Sequence, residues 1–350
     1  MKRQLAALLL TIFALSLTAC GETAAESETR TVYAMDTVMN LTVYGENAAA
    51  ALESAEKELH TLDEAVLSRT AEGSELYALN TSNGETVECG ADDILPALIE
   101  TALTISDATD GAFDPTLAPV LDAWGFTKDE RRVPSADELK ELLTHTGCGK
   151  VRLERTADGY TVTLLDGAQL DLGGIAKGYA ADLLRAQLEK EGVTSATLDL
   201  GGDVFVMGRK IDGSDWRIAV KDPADTESYL GVVSAADKFI VTSGVYERYF
   251  EENGVRYHHI IDPKTGSPAE SGLVSVTVLC ENGAWADALS TACFVLGTDK
   301  ALALRDGLAA QGVAFELVFV TDDGRVLYTG GLAAAFTPNE ESGYTYESLA

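Results

Sequence analysis

Apolar residues recur along most of the chain at spacings that predict alternating strands and helices. Apolar and polar side chains alternate over residues 31–44, as in a strand with one buried face. The same kind of pattern predicts helices over 48–68, 92–109 (capped by Asp92), 175–191 and 284–296, and hairpins over 151–171 and 317–328. Strands and helices are therefore mixed, and no linker divides residues 31–337. The remaining residues, 338–350, form an acidic tail that we expect to fray.

The first 30 residues have a different pattern, which predicts export and a lipid anchor. Lys2 and Arg3 precede an apolar run over 5–17, which is shorter than the roughly 20 residues of a spanning helix and typical of a signal peptide. The run ends in Leu-Thr-Ala-Cys, which resembles a bacterial lipobox and implies that Cys20 becomes lipid-modified. Residues 1–19 would be the signal peptide and 20–30 a flexible tether. We expect anchoring to the cell membrane on its extracytoplasmic side; an ordinary secretory signal with an incidental cysteine is the alternative.

The charge of the chain excludes two classes of partner. Lys and Arg number 26 against 56 Asp and Glu, which gives a formal net charge of −30 and a pI of about 4.3. Nucleic-acid binding needs a cationic surface, and so does electrostatic attachment to anionic lipid. No nucleic-acid partner is therefore expected. The four cysteines after Cys20 lack paired spacing and are interpreted as buried apolar residues, with one disulfide left open.

A short motif, Asp-Leu-Gly-Gly, occurs at 171–174 and again at 199–202. Paired glycines let the backbone turn sharply and approach another group closely. The first copy leads into the helix predicted from residue 175, whose free N–H groups favour an anion. Lys177 lies in that first turn, where a cation is unfavourable unless an anion such as phosphate binds beside it. Two ordinary turns and a solvated lysine are the alternative, and no P-loop or dinucleotide fingerprint occurs in the sequence.

Asp287 and Thr291 are four residues apart in a mostly apolar predicted helix, so both side chains lie on one face. A carboxylate there is costly to bury unless it is paired or binds a metal. Carboxylate and hydroxyl oxygens are hard ligands that suit Mg²⁺ or Ca²⁺. In the alternative interpretation, Asp287 caps the helix and Thr291 bonds back to its own backbone.

Two of the four histidines, His258 and His259, are adjacent in a segment that alternates like a strand. His259 shares one face with Tyr257 and Ile261, whereas His258 faces the other way with Ile260. At most one imidazole therefore faces a given site. An imidazole that titrates near neutrality is a natural general base for a hydroxyl group. Two half-buried structural histidines are the alternative, and the zinc motif His-Glu-x-x-His is absent from the sequence.

Together these motifs resemble those of the ApbE family, the FAD:protein FMN transferases. The resemblance is carried by six stretches in order between residues 111 and 297: GAFDPTLAPVLDAWGF, DLGGIAKGYAAD, LDLGGDVFVMG, TSGVYERYF, RYHHIIDPKTGSP and ADALSTACFVLG. It implies an α+β fold of mixed, largely antiparallel sheets with packed helices. FAD would lie in a cleft between the Gly174 turn, the His259 strand and the Asp287 helix.

The resemblance also implies roles for the matching residues. Asp287, Thr291 and the backbone carbonyl of Gly174 would bind the metal, with Mg²⁺ as the expected ion, and His259 would act in catalysis. The positions that match FAD contacts are Met35, Ala112, Phe113, Asp114, Asp171, Lys177, Ile261 and Ser290.

Two positions depart from the family pattern. Asp36 stands where glycine is usual, and Thr70 stands where many members have an aromatic residue. We expect the Asp36 side chain to crowd or repel FAD. We also expect stacking on the flavin or adenine to be weaker, or to come from Tyr77 or Tyr33.

The reaction implied by the resemblance is Mg²⁺-dependent transfer of FMN from FAD to a threonine, with release of AMP. The acceptor would be an exported flavoprotein subunit of a membrane redox complex. With water in place of threonine, the same site would be a pyrophosphatase that makes FMN and AMP. Two functions without catalysis also fit a lipoprotein, namely flavin binding and solute binding. The presence of His259 together with Asp287 and Thr291 favours the enzyme.

Overall fold

The computed structural model describes residues 27–128 and 130–349. The predicted signal peptide, Cys20 and the tether up to residue 26 lie outside the described residues. The strands are β1 (Ser27–Ala34), β2 (Thr37–Tyr44), β3 (Val87–Gly90), β4 (Val151–Arg155), β5 (Gly159–Leu164), β6 (Ala196–Leu200), β7 (Val204–Met207), β8 (Trp216–Lys221), β9 (Tyr229–Ala235), β10 (Lys238–Gly244), β11 (Tyr249–Glu252), β12 (Val255–His258), β13 (Leu273–Cys280), β14 (Phe315–Thr321), β15 (Arg325–Thr329), β16 (Phe336–Pro338) and β17 (Thr345–Leu349). The α-helices are α1 (Ala48–Thr61), α2 (Glu75–Asn80), α3 (Ile94–Ala108), α4 (Ala118–Trp124), α5 (Ala136–Leu142), α6 (Ala176–Lys190), α7 (Gly283–Leu296) and α8 (Thr298–Ala309). Among the described helices, none is both long enough and apolar enough to cross a membrane.

A nine-stranded sheet with the strand order β1–β2–β6–β7–β10–β13–β14–β15–β17 forms the centre of the fold. Its neighbouring strands are antiparallel except for β15 and β17 at one edge. Side chains of the central strands alternate between two apolar layers: Phe239 and Val241 of β10 enter one layer, and Ile240 enters the other. Helices α1, α6, α7 and α8 cover the first layer, and the small sheet β16–β9–β8 covers the second. This architecture confirms the predicted α+β fold.

Helix α7 lies between two apolar clusters and is therefore buried on most sides. Its Leu289 and Cys293 belong to the layer under the nine-stranded sheet, whereas Ala288 and Ala292 pack against α3 and the sheet β3–β5–β4. Cys293 and the other described cysteines after Cys20 carry free thiols, so the disulfide left open by the sequence does not form. The burial of α7 makes a charged residue within it costly unless that residue has partners.

The single strand predicted over 31–44 is wrong, because the segment is the hairpin β1–β2. Its two-residue turn, Met35–Asp36, has φ angles of 52° and 57°. Such turns favour Gly, Asn and Asp at these positions, which explains how aspartate replaces the usual glycine at residue 36. Residues 27–30, placed in the tether by the sequence pattern, belong to β1 and pair with β2.

The predicted helices are confirmed with shifted ends. The helix expected over 92–109 begins at Ile94, and its N-cap is Asp93 rather than Asp92. The one expected over 48–68 is α1 followed by a π-helical turn, Leu62–Leu67.

The frayed tail predicted after residue 337 is also wrong. Strand β17 pairs in parallel with β15, and the Tyr346 hydroxyl donates to the Leu230 carbonyl at 2.6 Å. The partner strand of β17 is close in space and in sequence, but a parallel pairing leaves no turn motif to reveal it.

Helices α6 and α7 touch backbone to backbone at two glycines. A Cβ atom added to Gly178 would lie 2.0 Å from the Gly283 carbonyl oxygen and 2.8 Å from Asp287 Cβ. We predict that Gly178→Ala lowers the free energy of unfolding by about 1–3 kcal/mol, because overpacking outweighs the better helix propensity of alanine. Urea unfolding measures the change. Gly307→Ala in α8 is the matched control, since nothing lies within 4 Å of its added Cβ; an equal effect of both variants would contradict the prediction.

Candidate active site

The start of α7 is capped from two sides, and neither cap is Asp287. Asn282 Oδ1 accepts a hydrogen bond from the Trp285 N–H at 2.9 Å. The Asp182 carboxylate of α6 accepts from the N–H groups of Gly283 and Ala284, both at 2.9 Å. The alternative in which Asp287 caps its own helix is therefore wrong. Asp287 lies one turn further along, where only 3% of its surface is exposed.

Asp287 faces the first turn of α6 and shares a lysine with a second aspartate. Its Oδ2 accepts from the Gly178 N–H at 3.0 Å and lies 3.6 Å from Lys177 Nζ. The same Nζ lies 3.0 Å from Asp203 Oδ2. Lys177 is thus not a solvated lysine. Two carboxylates of the chain itself compensate its charge at the helix N-terminus, where the dipole disfavours a cation.

Burial shifts the pKa values of the charged groups in this cluster. It raises the pKa of Asp203, and the neighbouring Asp287 raises that pKa further, whereas Lys177 lowers it. Burial alone would lower the pKa of Lys177, but the charges of Asp203 and Asp287 raise it above its ordinary value. Lys177 therefore keeps its positive charge at neutral pH, and carboxylates of the chain itself compensate that charge.

The first Asp-Leu-Gly-Gly turn is held by its own aspartate. Asp171 Oδ1 accepts from the Gly173 N–H at 2.8 Å, and Asp171 Oδ2 accepts from Arg69 Nη1 at 2.7 Å. The turn brings Gly174 against α7 and Phe113: a Cβ added to Gly174 would lie 3.7 Å from Thr291 Oγ1 and 3.3 Å from the Phe113 ring. The predicted metal residues Gly174 and Thr291 are therefore neighbours.

A chain of hydroxyl groups joins helix α7 to strand β10. The Ser290 hydroxyl donates to the Asp287 carbonyl at 2.7 Å and lies 2.7 Å from Ser243 Oγ. Thr291 Oγ1 lies 3.4 Å from the same Ser243 oxygen. It is thus Ser290, fully buried, that bonds back to the helix, and not Thr291 as in the alternative drawn from the sequence.

The two histidines are separated as the alternation predicts. His258, at the end of β12, is buried with its ring edge-on to Phe294 at 5.5 Å between centroids. Tyr257 and Ile261 instead join the apolar cluster around Trp124. His258 is therefore a core residue.

His259 is half-buried and oriented by the backbone of Arg248. Its Nδ1 lies 3.2 Å from the Arg248 carbonyl oxygen, and its backbone N–H donates to the same oxygen at 3.0 Å. Because a carbonyl only accepts, the hydrogen is assigned to Nδ1, and Nε2 keeps its lone pair. Nε2 is then the atom that can accept a proton.

We predict that His259 stays neutral down to strongly acidic pH. Burial lowers its pKa to about 4, and the charges of Arg248 and His258 act in the same direction. The neutral imidazole, which is the basic form, is thus fully present at neutral pH and is lost only as the pH falls through about 4. A nitrogen-15 NMR titration, with the resonance assigned by its absence in His259→Gln, measures this value. An apparent pKa near the ordinary 6.5 would contradict the prediction.

A hard cation at this site would need hydroxyl and backbone carbonyl oxygens as ligands in addition to a carboxylate. Within 27–128 and 130–349, no group of three or more His, Cys, Asp or Glu residues could hold a metal ion. The predicted ligands are one carboxylate (Asp287), one hydroxyl (Thr291) and one backbone carbonyl (Gly174). This donor set suits Mg²⁺ or Ca²⁺ and leaves coordination positions open for a ligand's oxygens.

The other residues matched to FAD contacts differ in how far they are buried. Ala112, Phe113 and Ile261 are buried, and Met35 is partly buried in the hairpin turn. Asp114 Oδ1 accepts from both the backbone and the hydroxyl of Thr116, at 2.8 and 2.5 Å, and so shapes its own turn.

The hairpin turn contacts the histidine segment through Arg248. Arg248 Nη2 donates to the Asp36 carbonyl at 3.5 Å, and the Arg248 carbonyl in turn orients His259. The side chains of Asp36 and Thr70 are exposed. Of the two aromatic residues considered for stacking, Tyr33 is 64% exposed, whereas Tyr77 is half-buried.

The sequence patterns gave no role to Asp203 or to the supporting residues Asp182, Arg69 and Ser243. Asp203 directly follows the second Asp-Leu-Gly-Gly copy, so the repeat was the signal that could have found it. Asp182 and Ser243 lie within the quoted stretches DLGGIAKGYAAD and TSGVYERYF, whereas Arg69 lies outside them. Their partners lie 47 to 102 residues away in the chain, so the local pattern does not show these contacts.

Comparison with known proteins identifies the family. The sequence model of the ApbE family matches residues 35–314. The chain belongs to the ApbE family. This ApbE-family chain is 38% identical over 330 residues to the FAD:protein FMN transferase of Treponema pallidum, covering 89% of the chain and 90% of that relative. It is 31% identical over 356 residues to the FAD:protein FMN transferase of Haemophilus influenzae, covering 97% and 100%.

Solved ApbE structures share the fold. The crystal structure of the ApbE protein from Thermotoga maritima superposes with a TM-score of 0.77 at 34% identity, covering 90% of this chain and 98% of that one. The apo flavinyl transferase ApbE of Pseudomonas stutzeri superposes with a TM-score of 0.74 at 32% identity, covering 90% and 95%. The family and the fold predicted from the sequence motifs are confirmed.

Proposed function

We propose that this ApbE-family protein is a Mg²⁺-dependent FAD:protein FMN transferase. Relatives with that name, matched over most of their length, support the activity. The observation that carries the proposal is the buried Asp287, which lies next to Lys177 at the N-terminus of α6 and one helical turn from Thr291, the neighbour of Gly174. A divalent cation and the pyrophosphate of FAD are the kind of ligands such an arrangement suits.

The residues around Asp287 would bind the pyrophosphate and stabilise negative charge. Asp287, Thr291 and the Gly174 carbonyl would hold Mg²⁺, which when bound neutralises phosphate charge and makes the phosphorus more electrophilic. Lys177 and the N–H groups of α6 add positive charge on the same side. Asp171, held by Arg69, keeps the Gly174 turn in place. Positioning and charge stabilisation dominate phosphoryl transfers of this kind.

His259 would supply the base. Its Nε2 accepts the proton of the acceptor threonine as the threonine oxygen bonds to the phosphorus of the FMN half of FAD. The bond from that phosphorus to the bridging oxygen breaks. The electron pair of this bond stays on the oxygen of the departing AMP. The proton then passes from Nε2 to AMP or to solvent, so that the imidazole is neutral for the next cycle.

The acceptor and the location are proposed from the sequence. We infer an exported flavoprotein subunit of a membrane redox complex as the acceptor, with a threonine as its target. The lipobox-like segment supports anchoring to the membrane through Cys20, on the extracytoplasmic side.

Mass spectrometry of reaction products tests the function. The purified protein is incubated with FAD and Mg²⁺, with and without a flavoprotein domain that bears the target threonine. We expect the acceptor to gain the mass of an FMN phosphoester while AMP is released. FMN and AMP without an acceptor would establish a pyrophosphatase instead, and FAD that is bound but intact in every sample would establish a flavin-binding lipoprotein.

A further inference from the structure

Lys177 has two carboxylate partners, and it is closer to the one with no predicted role. Its Nζ lies 3.0 Å from Asp203 and 3.6 Å from Asp287. The side chains of Asp203 and Asp287 are only 7% and 5% exposed. Among the ion pairs of residues 27–128 and 130–349, Lys177 is the single cationic partner of Asp203.

The two copies of the Asp-Leu-Gly-Gly motif bring these charges together. The first copy leads into α6 and so places Lys177. In the second copy, Asp199 Oδ1 accepts from the Gly202 N–H at 2.8 Å, which tightens the turn between β6 and β7. The Leu200 N–H then donates to the Asp203 carbonyl at 2.9 Å. The backbone position of Asp203 is therefore set by its own turn.

Lys177 and a divalent cation compete for the same carboxylate. An ammonium group centred on Asp287 would occupy oxygen lone pairs and repel a cation at short range. Asp287 Oδ2 already accepts from Gly178 and faces Lys177. A second carboxylate that attracts the ammonium more closely would relieve the competition, while leaving the positive charge at the edge of the site.

We propose that Asp203 is a positioning residue that holds the Lys177 ammonium off Asp287 and so keeps the Asp287 carboxylate available to a divalent cation. This inference rests on the metal role of Asp287 in the proposed function. Asp203 itself would not contact the reacting atoms. Its effect on FMN transfer is exerted through Lys177 and Asp287.

Binding of Mn²⁺ alone, used as the probe in place of Mg²⁺, tests the inference without activity. Electron paramagnetic resonance of the free ion measures the affinity of the full chain with no flavin present, and Asp287→Ala defines the signal that does not belong to the site. We expect Asp203→Asn to weaken Asp287-dependent Mn²⁺ binding on the order of tenfold, because the ammonium moves onto Asp287. Adding Lys177→Met to Asp203→Asn should restore the affinity, because the competing cation is gone.

Glu247→Gln is the matched control for the loss of one negative charge. The Glu247 charge acts on both Lys177 and Asp287, yet within the described ranges Glu247 makes no ion pair with Lys177. We expect it to weaken Mn²⁺ binding less than Asp203→Asn does. An equal loss in both variants, no loss in Asp203→Asn, or no recovery in the double variant would each overturn the inference.

Thermal unfolding shows whether Asp203→Asn folds. If it does not, Lys177→Met alone decides: tighter Mn²⁺ binding supports the inference, and unchanged or weaker binding overturns it. A different result would count against the proposed function itself. If the wild-type protein shows no Asp287-dependent Mn²⁺ binding, the metal role itself is wrong and the inference falls with it.

Discussion

Replacing Asp287 with asparagine is expected to reduce FMN transfer on the order of 10³-fold while the fold survives. Asparagine keeps an oxygen that can accept from the Gly178 N–H, so the contact between α6 and α7 is retained. What is lost is the one carboxylate among the proposed metal ligands, and with it the charge that attracts Mg²⁺ to the FAD pyrophosphate. Initial rates of FMN attachment at increasing Mg²⁺ concentration measure the effect, and we expect partial recovery at high Mg²⁺.

Asp166→Asn is the matched control, because it removes a lysine–aspartate pair outside the site. Asp166 Oδ2 lies 3.2 Å from Lys150 Nζ, and the Asp166 side chain is 74% exposed. We expect its transfer rate to equal that of the wild type. If Asp287→Asn transferred FMN at the wild-type rate, or if excess EDTA left the wild-type rate unchanged, the metal role of Asp287 would be wrong.

Replacing His259 with alanine is expected to lower transfer by at least roughly 10²-fold with FAD affinity nearly unchanged. The imidazole is oriented by the Arg248 backbone and presents Nε2 as a free base, so its loss removes proton acceptance rather than a large binding surface. Single-turnover rates with the acceptor give the transfer step, and the change in flavin fluorescence gives the FAD affinity. Added imidazole should restore part of the rate, which a purely structural role would not produce.

His60→Ala serves as the control for loss of a histidine elsewhere. The His60 side chain is 43% exposed and lies 3.9 Å from Glu64, within α1 and the turn that follows it. Its transfer rate should match the wild type. His258→Ala is unsuitable as a control, because it would leave a cavity beside Phe294. A His259→Ala enzyme with near-normal transfer would place the base elsewhere.

Local patterns predicted the long helices and the hairpins β4–β5 and β14–β15, and they failed at one tight turn and at one edge strand. α6 and α7 follow their apolar spacing to within one residue at each end. The Met35–Asp36 turn was missed because neither residue is glycine or asparagine, although both adopt positive φ. β17 was missed because acidic composition suggests solvent, whereas its backbone pairs with β15.

The candidate site, too, was predicted from the sequence only in part. The motifs singled out the residues Gly174, Asp287 and Thr291. The structure places Gly174 beside Thr291, which is one helical turn from Asp287 in α7. Their roles as metal ligands, and that of His259 as the base, stay predictions. The explanation that the sequence offered for Lys177, an external anion, was incomplete, because two carboxylates of the chain already face it.

The sequence by itself determined the ApbE family, the α+β class and the strongly negative net charge, and it singled out the candidate site residues. These follow from residue order and composition, which do not depend on distant contacts. Only the tertiary structure decided that Asp203 pairs with Lys177, that Asp182 rather than Asp287 joins Asn282 in capping α7, and that Arg248 orients His259. The contacts of Asp203, Asp182 and Arg248 join residues that are 11 to 102 positions apart in the chain. Such contacts form because a buried charge or an unpaired N–H must find a partner, and the packing of the helices and sheets determines which partner is within reach.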